Sequence, residues 1–177
     1  MENISIENFH LPRWNELPNV ELYLDQVVKL INTSLSPYIF FNNENKETEL
    51  LTKTMINNYV KNELIDPPTK KQYSKIQLAK LFVICVLKQV YSMQDIKNLI
   101  TKALEFAEID IAYDRFCKLF EEALLCTYTR KDFIDKNSSS DNMYLLKSVL
   151  LSCSYKIYVQ NLSTNASKII KADSQKA

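Results

Sequence analysis

A chain of 177 residues, 46% hydrophobic and 24% charged, has the composition of an ordinary globular domain and is long enough to bury one good core. With 22 basic against 21 acidic residues its formal net charge is +1, so any nucleic-acid surface must be local rather than a property of the whole molecule. It has no glycine. That excludes the P-loop, the dinucleotide-binding turn and the nucleophile elbow, in which the backbone bends or approaches phosphate as only a residue without Cβ allows, and it disfavours tight primed hairpins and hence a sheet-rich fold.

Residues 1–18 hold two prolines and no sustained period, which predicts an extended arm carrying Trp14 and the single histidine, His10. One histidine provides neither a Ser-His-acid nor a Cys-His pairing nor a multi-histidine metal site. A helix is predicted from Asn19, a good N-cap, with Val20, Leu24, Val27, Ile31 and Leu35 at helical spacing until Ser36-Pro37 stops it. The apolar run 38–41 reads as an extended segment and 42–49 as a polar loop. Thr52 caps a short helix, residues 53–62, with Met55, Ile56 and Tyr59 inward; Leu64 and Ile65 follow, and Asp66-Pro67-Pro68 breaks the chain.

Ser74 with Gln77 forms a capping box for a helix over 75–90, apolar on most faces and so placed at the centre of the core. Ser92 with Asp95 repeats the box for a helix bearing Met93, Ile96, Leu99, Ile100 and Ala103. The next helix, residues 110–125, turns Ala112, Phe116, Leu119, Phe120 and Ala123 to one side. Asp110, Asp114 and Lys118 share another face and read as a surface charge pair rather than catalytic carboxylates. After a polar loop, 130–140, a last helix over 141–160 aligns Leu145, Leu146, Val149, Leu150, Cys153 and Ile157. The tail from Leu162 reads as disordered. Cys85, Cys117, Cys126 and Cys153 are dispersed in apolar runs and read as buried free thiols, with no metal or other cofactor expected. Without a signal-peptide pattern, and with no apolar stretch long enough for a bilayer, the expectation is a cytoplasmic, membrane-free protein with reduced cysteines.

Local charge singles out one segment. The outward face of the 53–62 helix carries Lys53, Thr54, Asn57, Asn58 and Lys61, and the connection after it adds Lys70, Lys71 and Lys75. These lysines against Glu63 and Asp66 leave a positive patch in a near-neutral chain. Lysine suits phosphate, and asparagine can pair with adenine in the major groove.

The block from Thr52 through Pro68, then Tyr73-Ser74, an apolar helix and Ser92-Met-Gln-Asp-Ile96, resembles the MerR family of winged helix-turn-helix proteins. Thr52, Ile56, Tyr59, Leu64, Ile65, Tyr73, Ser74 and Ile96 occupy its pattern positions. Three positions depart from it: the family's backbone-reading arginine falls at Asn57, the glycine ending its recognition helix falls at Glu63, and the wing is cut to Thr69-Lys-Lys-Gln. The motif's first helix would fall on residues 42–48, which have no apolar face; either the 19–35 helix replaces it or the unit has drifted from DNA binding. With the opening Leu11-Pro-Arg-Trp-x-Glu-Leu-Pro18 and Leu22-Tyr-Leu-Asp-Gln-Val27, the chain is similar to a bacterial family known only as domain of unknown function eighteen thirty-six, which implies a cytoplasmic, regulatory role.

The expected fold is all-α: an arm over 1–18, one helical domain over 19–161 with a winged-helix or helix-turn-helix centre at 52–105, an N-terminal flanking helix and two C-terminal ones, and a tail over 162–177. The expected function is transcriptional regulation, not catalysis. Duplex DNA is the partner, contacted by Lys53, Thr54, Asn57, Asn58, Lys61, Lys70 and Lys71, and the C-terminal helices form a homodimer through the 141–160 stripe, which could equally pack back on the 75–90 helix. The alternative is a helical interaction or sensor module that has lost DNA binding.

Overall fold

The computed structural model describes residues 6–39, 49–133 and 140–163. Expectations for 40–48, for 134–139 and for the tail from 164 lie outside these residues. The described chain is mostly helical, with one two-stranded sheet of two residues per strand.

Helix α1 spans Leu24–Leu35, not the interval from Asn19. Leu22 and Tyr23 form strand β1, which pairs antiparallel with β2, Gln72–Tyr73, in the register Leu22 to Tyr73 and Tyr23 to Gln72. A backbone committed to that ladder cannot turn helical until it has passed. Val20, expected on the inner face, is therefore 67% exposed. Asn19 caps nothing and instead accepts a hydrogen bond from Lys75 Nζ at 2.8 Å. Val27, Val28, Ile31 and Leu35 form the buried face. Near its end Asn32 holds Leu51 twice, donating to the carbonyl at 2.8 Å and accepting from the amide at 2.9 Å.

Helix α2, Lys53–Lys61, starts where Thr52 Oγ1 accepts from the Met55 amide at 3.2 Å, and buries Ile56 and Tyr59. Helix α3, Lys75–Leu87, is the core element: Leu78, Leu81, Phe82, Ile84 and Cys85 are wholly enclosed, and it packs on α1 and on the last two helices. It ends three residues before Val90, where residues 88–90 form a turn. Ser92 and Asp95 cap each other reciprocally at 3.2 and 3.3 Å to start α4, Met93–Leu104, of which Ile96 is buried while Met93 and Ala103 are exposed.

Helices α5, Ile109–Thr129, and α6, Asp141–Ser163, are each longer than the periodicity indicates and pack along one another. Phe116, Leu119, Phe120 and Ala123 of α5 are buried, as are Val149, Leu150, Cys153 and Ile157 of α6, with a buried Thr127–Ser154 hydroxyl pair at 2.9 Å between the two helices. The stripe expected to meet a second copy is thus used inside the chain, except that Leu145 is exposed and Leu146 half-buried.

The arm is not free. Two short 3-10 turns, Ile6–Asn8 and Trp14–Glu16, bring Ile6, Phe9, Leu11 and Leu17 into the core, with Phe9 edge-on to Phe120 at 5.7 Å. Glu121 of α5 holds it: the carboxylate accepts from the Leu11 amide and from Arg13 Nη1, both at 2.7 Å, and pairs with Arg13 Nη2. Asp114 accepts from the Trp14 amide at 2.6 Å, and Tyr113 donates to the Pro12 carbonyl at 2.8 Å. Asp114 is therefore a latch for the arm rather than half of a surface pair with Lys118. His10 is exposed and sits 2.7 Å from Glu16.

Truncation of Leu81 to alanine should cost about 2–5 kcal/mol in denaturant unfolding, because its side chain is fully buried and its loss leaves a cavity in the core. Burial also raises the thiols, Cys85 to about 11 and Cys117 and Cys153 to about 12, whereas Cys126 is only half-buried. A raised pKa means less thiolate at a given pH. At pH 8 a disulfide reagent should modify Cys126 first and the other three at the rate of unfolding; fast modification of all four would contradict this packing.

Candidate nucleic-acid interface

Helix α2 divides cleanly. Ile56 and Tyr59 face the core while Lys53, Thr54, Asn57, Asn58 and Lys61 are exposed, and their offsets of one, four, five and eight residues from Lys53 keep them within one side of the helix. The helix ends in a Schellman-type cap: the Glu63 amide donates to the Val60 carbonyl at 3.0 Å and the Leu64 amide to the Tyr59 carbonyl at 2.9 Å. Such a cap needs a left-handed residue, and Glu63 adopts φ 55°. The resemblance put a glycine at this position, and here a residue with a Cβ takes the same geometry.

The chain then reaches Thr69 and Gln72, whose backbones exchange hydrogen bonds at 3.0 and 2.9 Å. Between them Lys70 and Lys71 have φ of 51° and 67°, a two-residue loop with both central residues left-handed. Asparagine and glycine normally fill such positions. Both lysines are exposed at the tip, and Gln72 continues into β2, so the loop is anchored to β1. From β1 the chain passes into α1, whose Asp25 pairs with Lys53. The short segment 22–25 therefore touches the base of the lysine loop on one side and the first turn of α2 on the other.

The seven predicted residues are not equivalent. The side chains of Lys61, Thr54, Asn57, Lys70 and Lys71 make no hydrogen bond or ion pair among the described residues. Lys53 is neutralised by Asp25, an acidic neighbour that sequence spacing could not reveal. Asn58 is engaged locally, accepting from Asn62 Nδ2 at 3.0 Å. Lys75 is turned to the arm, 5.2 Å from the centre of the Trp14 ring and hydrogen-bonded to Asn19. The acids of the segment are also occupied: Glu63 pairs with Lys97 at 3.1 Å and Asp66 with Lys80 at 3.2 Å. What remains uncompensated is Lys61 at the end of α2 and the two lysines of the loop.

Among the described residues no cluster of three His, Cys, Asp or Glu side chains could hold a metal ion, and no helix is long and apolar enough to cross a membrane. A family model described as Domain of unknown function (DUF1836) matches residues 12–120, from the arm into α5 and short of α6. No curated protein and no solved structure matches the chain.

A left-handed residue that is not glycine costs about 1 kcal/mol, so the loop stores strain at its two charged positions. Replacing Lys70 by Asn and Lys71 by Gly should raise stability by about 1 kcal/mol in equilibrium unfolding. A lower midpoint for that variant would show that the loop does not have the primed geometry.

Proposed function

The chain belongs to the family described as Domain of unknown function (DUF1836), and we propose that this member is a cytoplasmic transcriptional regulator that binds duplex DNA as a homodimer. In this reading α1 and α2 are the two helices of a helix-turn-helix, α2 enters the major groove, and the loop Thr69–Gln72 is a shortened wing. The pairing of β1 with β2 supports it, because it ties the loop to the strand that leads into α1. In this reading α1, held to the start of α2 through the Asn32–Leu51 hydrogen bonds, takes the part of the first helix. Thr54, Asn57 and Lys61 would face the bases and backbone, and Lys70 and Lys71 the phosphates.

The observation that carries the proposal is the lysine loop. Two adjacent cations, held without counter-ions among the described residues in a conformation that disfavours them, are explained by a need for positive charge at that tip, and a phosphate backbone supplies the matching anion. The interaction-module alternative draws on the Lys53–Asp25 pair, which removes one cation from the face of α2.

A helix of nine residues and a two-lysine loop give few phosphate contacts, which favours two half-sites read by a symmetric dimer. The outward side of α6 offers a surface: Tyr144, Tyr155, Val159 and Leu162 are all more than half exposed and recur along its length. This is the side opposite the stripe that packs on α5.

Affinity for a mixed-sequence duplex, measured from low to physiological salt, tests the reading. Lys70→Ala with Lys71→Ala should weaken binding to every sequence and flatten the log–log salt slope by about two units. Asn57→Ala should instead cost about 1–3 kcal/mol on a preferred site only. Absence of salt-sensitive binding at low ionic strength would leave the interaction module in its place. Sedimentation at micromolar concentration should show a dimer that Tyr155→Glu with Val159→Glu converts to monomer; a wild-type monomer would refute that interface.

A further inference from the structure

Helices α3, α4, α5 and the first turns of α6 line an open cavity of about 340 Å³. Val83, Leu87, Ile100, Phe116, Leu146 and Val149 form its apolar floor, and among the described residues no acidic side chain lines it. Three cations do: Lys80, Lys102 and Arg115. Lys80 is committed to Asp66 at 3.2 Å. Lys102 and Arg115, on neighbouring helices, are exposed and pair with no carboxylate among the described residues.

From this geometry we infer that the cavity is a binding site for an amphipathic monoanion, a hydrocarbon chain ending in a carboxylate. The volume falls within the range of small-molecule sites, about 300–1,000 Å³, which are typically apolar with a few polar groups that fix orientation. An apolar floor accepts the chain, since removing it from water is favourable. Among the described residues the unpaired charges in the wall are positive, so the complementary head group is an anion, and the guanidinium of Arg115 presents the fork that suits a carboxylate. A neutral lipid would leave both cations without a counter-charge, and a cationic amphiphile would be repelled. Leu104, at the end of α4, and Phe106, just after it, also line the cavity and are exposed to solvent.

The site is independent of DNA binding, so the test uses the protein alone. Decanoate below its micellar concentration is titrated into the full chain by calorimetry, beside decan-1-ol as the uncharged analogue. One saturable decanoate site is expected, with decan-1-ol about tenfold weaker or more, as loss of a charge-assisted contact implies. Lys102→Gln with Arg115→Gln should weaken decanoate about tenfold and leave decan-1-ol unchanged, and Ala103→Trp, which fills the cavity from an exposed position of α4, should abolish both. If Ala103→Trp fails to fold, the glutamine pair, whose side chains are exposed, carries the same test. No saturable decanoate binding up to millimolar concentration would overturn the proposal, as would equal affinity for acid and alcohol, or full affinity in Ala103→Trp. Conversion of the wild-type protein from dimer to monomer by Ala103→Trp would also overturn it, by assigning the cavity to a second copy.

Discussion

The exposed elements depend on the burial of α3. Most of this helix is enclosed, and a few of its polar side chains, with Lys88 just past its end, reach out to fix the segment that contains α2. Gln77, itself buried, accepts from the Ser74 amide at 2.6 Å and donates to the carbonyls of Asp66 and Pro67 at 2.8 and 3.1 Å. Lys80 pairs with the Asp66 carboxylate. At the other end Lys88, held below the usual lysine range by burial, donates to the Leu50 carbonyl just before the cap of α2. Both ends of the α2 segment are thus pinned to one rigid helix. Leu50 is buried, so its carbonyl would be left unsatisfied without Lys88, which costs about 1–3 kcal/mol; these contacts hold position as well as adding stability.

A second constraint is the absence of glycine. The chain still has to make tight reversals, and it makes them with Glu63, Lys70, Lys71 and Arg130 at positive φ. Each is disfavoured by its Cβ and persists because its surroundings over-determine it. At Glu63 the Schellman cap and the burial of Leu64 and Ile65 do this; at Arg130 it is the end of a helix locked against α6. At Lys70 and Lys71 only the two Thr69–Gln72 hydrogen bonds and the short pairing to β1 do so. The loop is the least supported of these reversals, and it carries two adjacent like charges at its tip.

Much of this was legible in the sequence because it follows from local rules. Thr52, the Ser74-Gln77 pair and the Ser92-Asp95 box mark helix starts by side-chain chemistry within three residues, and the apolar character of most faces over 75–90 predicts a helix at the centre of the core. What escaped depends on distant partners. A two-residue strand has no period to detect, so β1 was absorbed into the helix after it. The arm docks on residues about a hundred positions away, through Glu121 and Asp114, and nothing near Arg13 announces that. The α6 pattern is apolar on two sides, and periodicity cannot say which side packs inside the chain. Nor can spacing say which lysines are already paired: Lys53 and Lys75 are taken by Asp25 and Asn19, while Lys61, Lys70 and Lys71 are not. The cavity needed four helices to be assembled before its cations could be seen to share a wall.

Amide chemical-shift mapping of the full chain during titration with a mixed-sequence DNA duplex tests the central claim most directly, because it locates the contact without any substitution. The account predicts perturbations concentrated at residues 53–61 and 69–72, lost together as salt is raised, with the cavity side of α3 unchanged. Perturbations absent from both segments, or confined to α6, would contradict it.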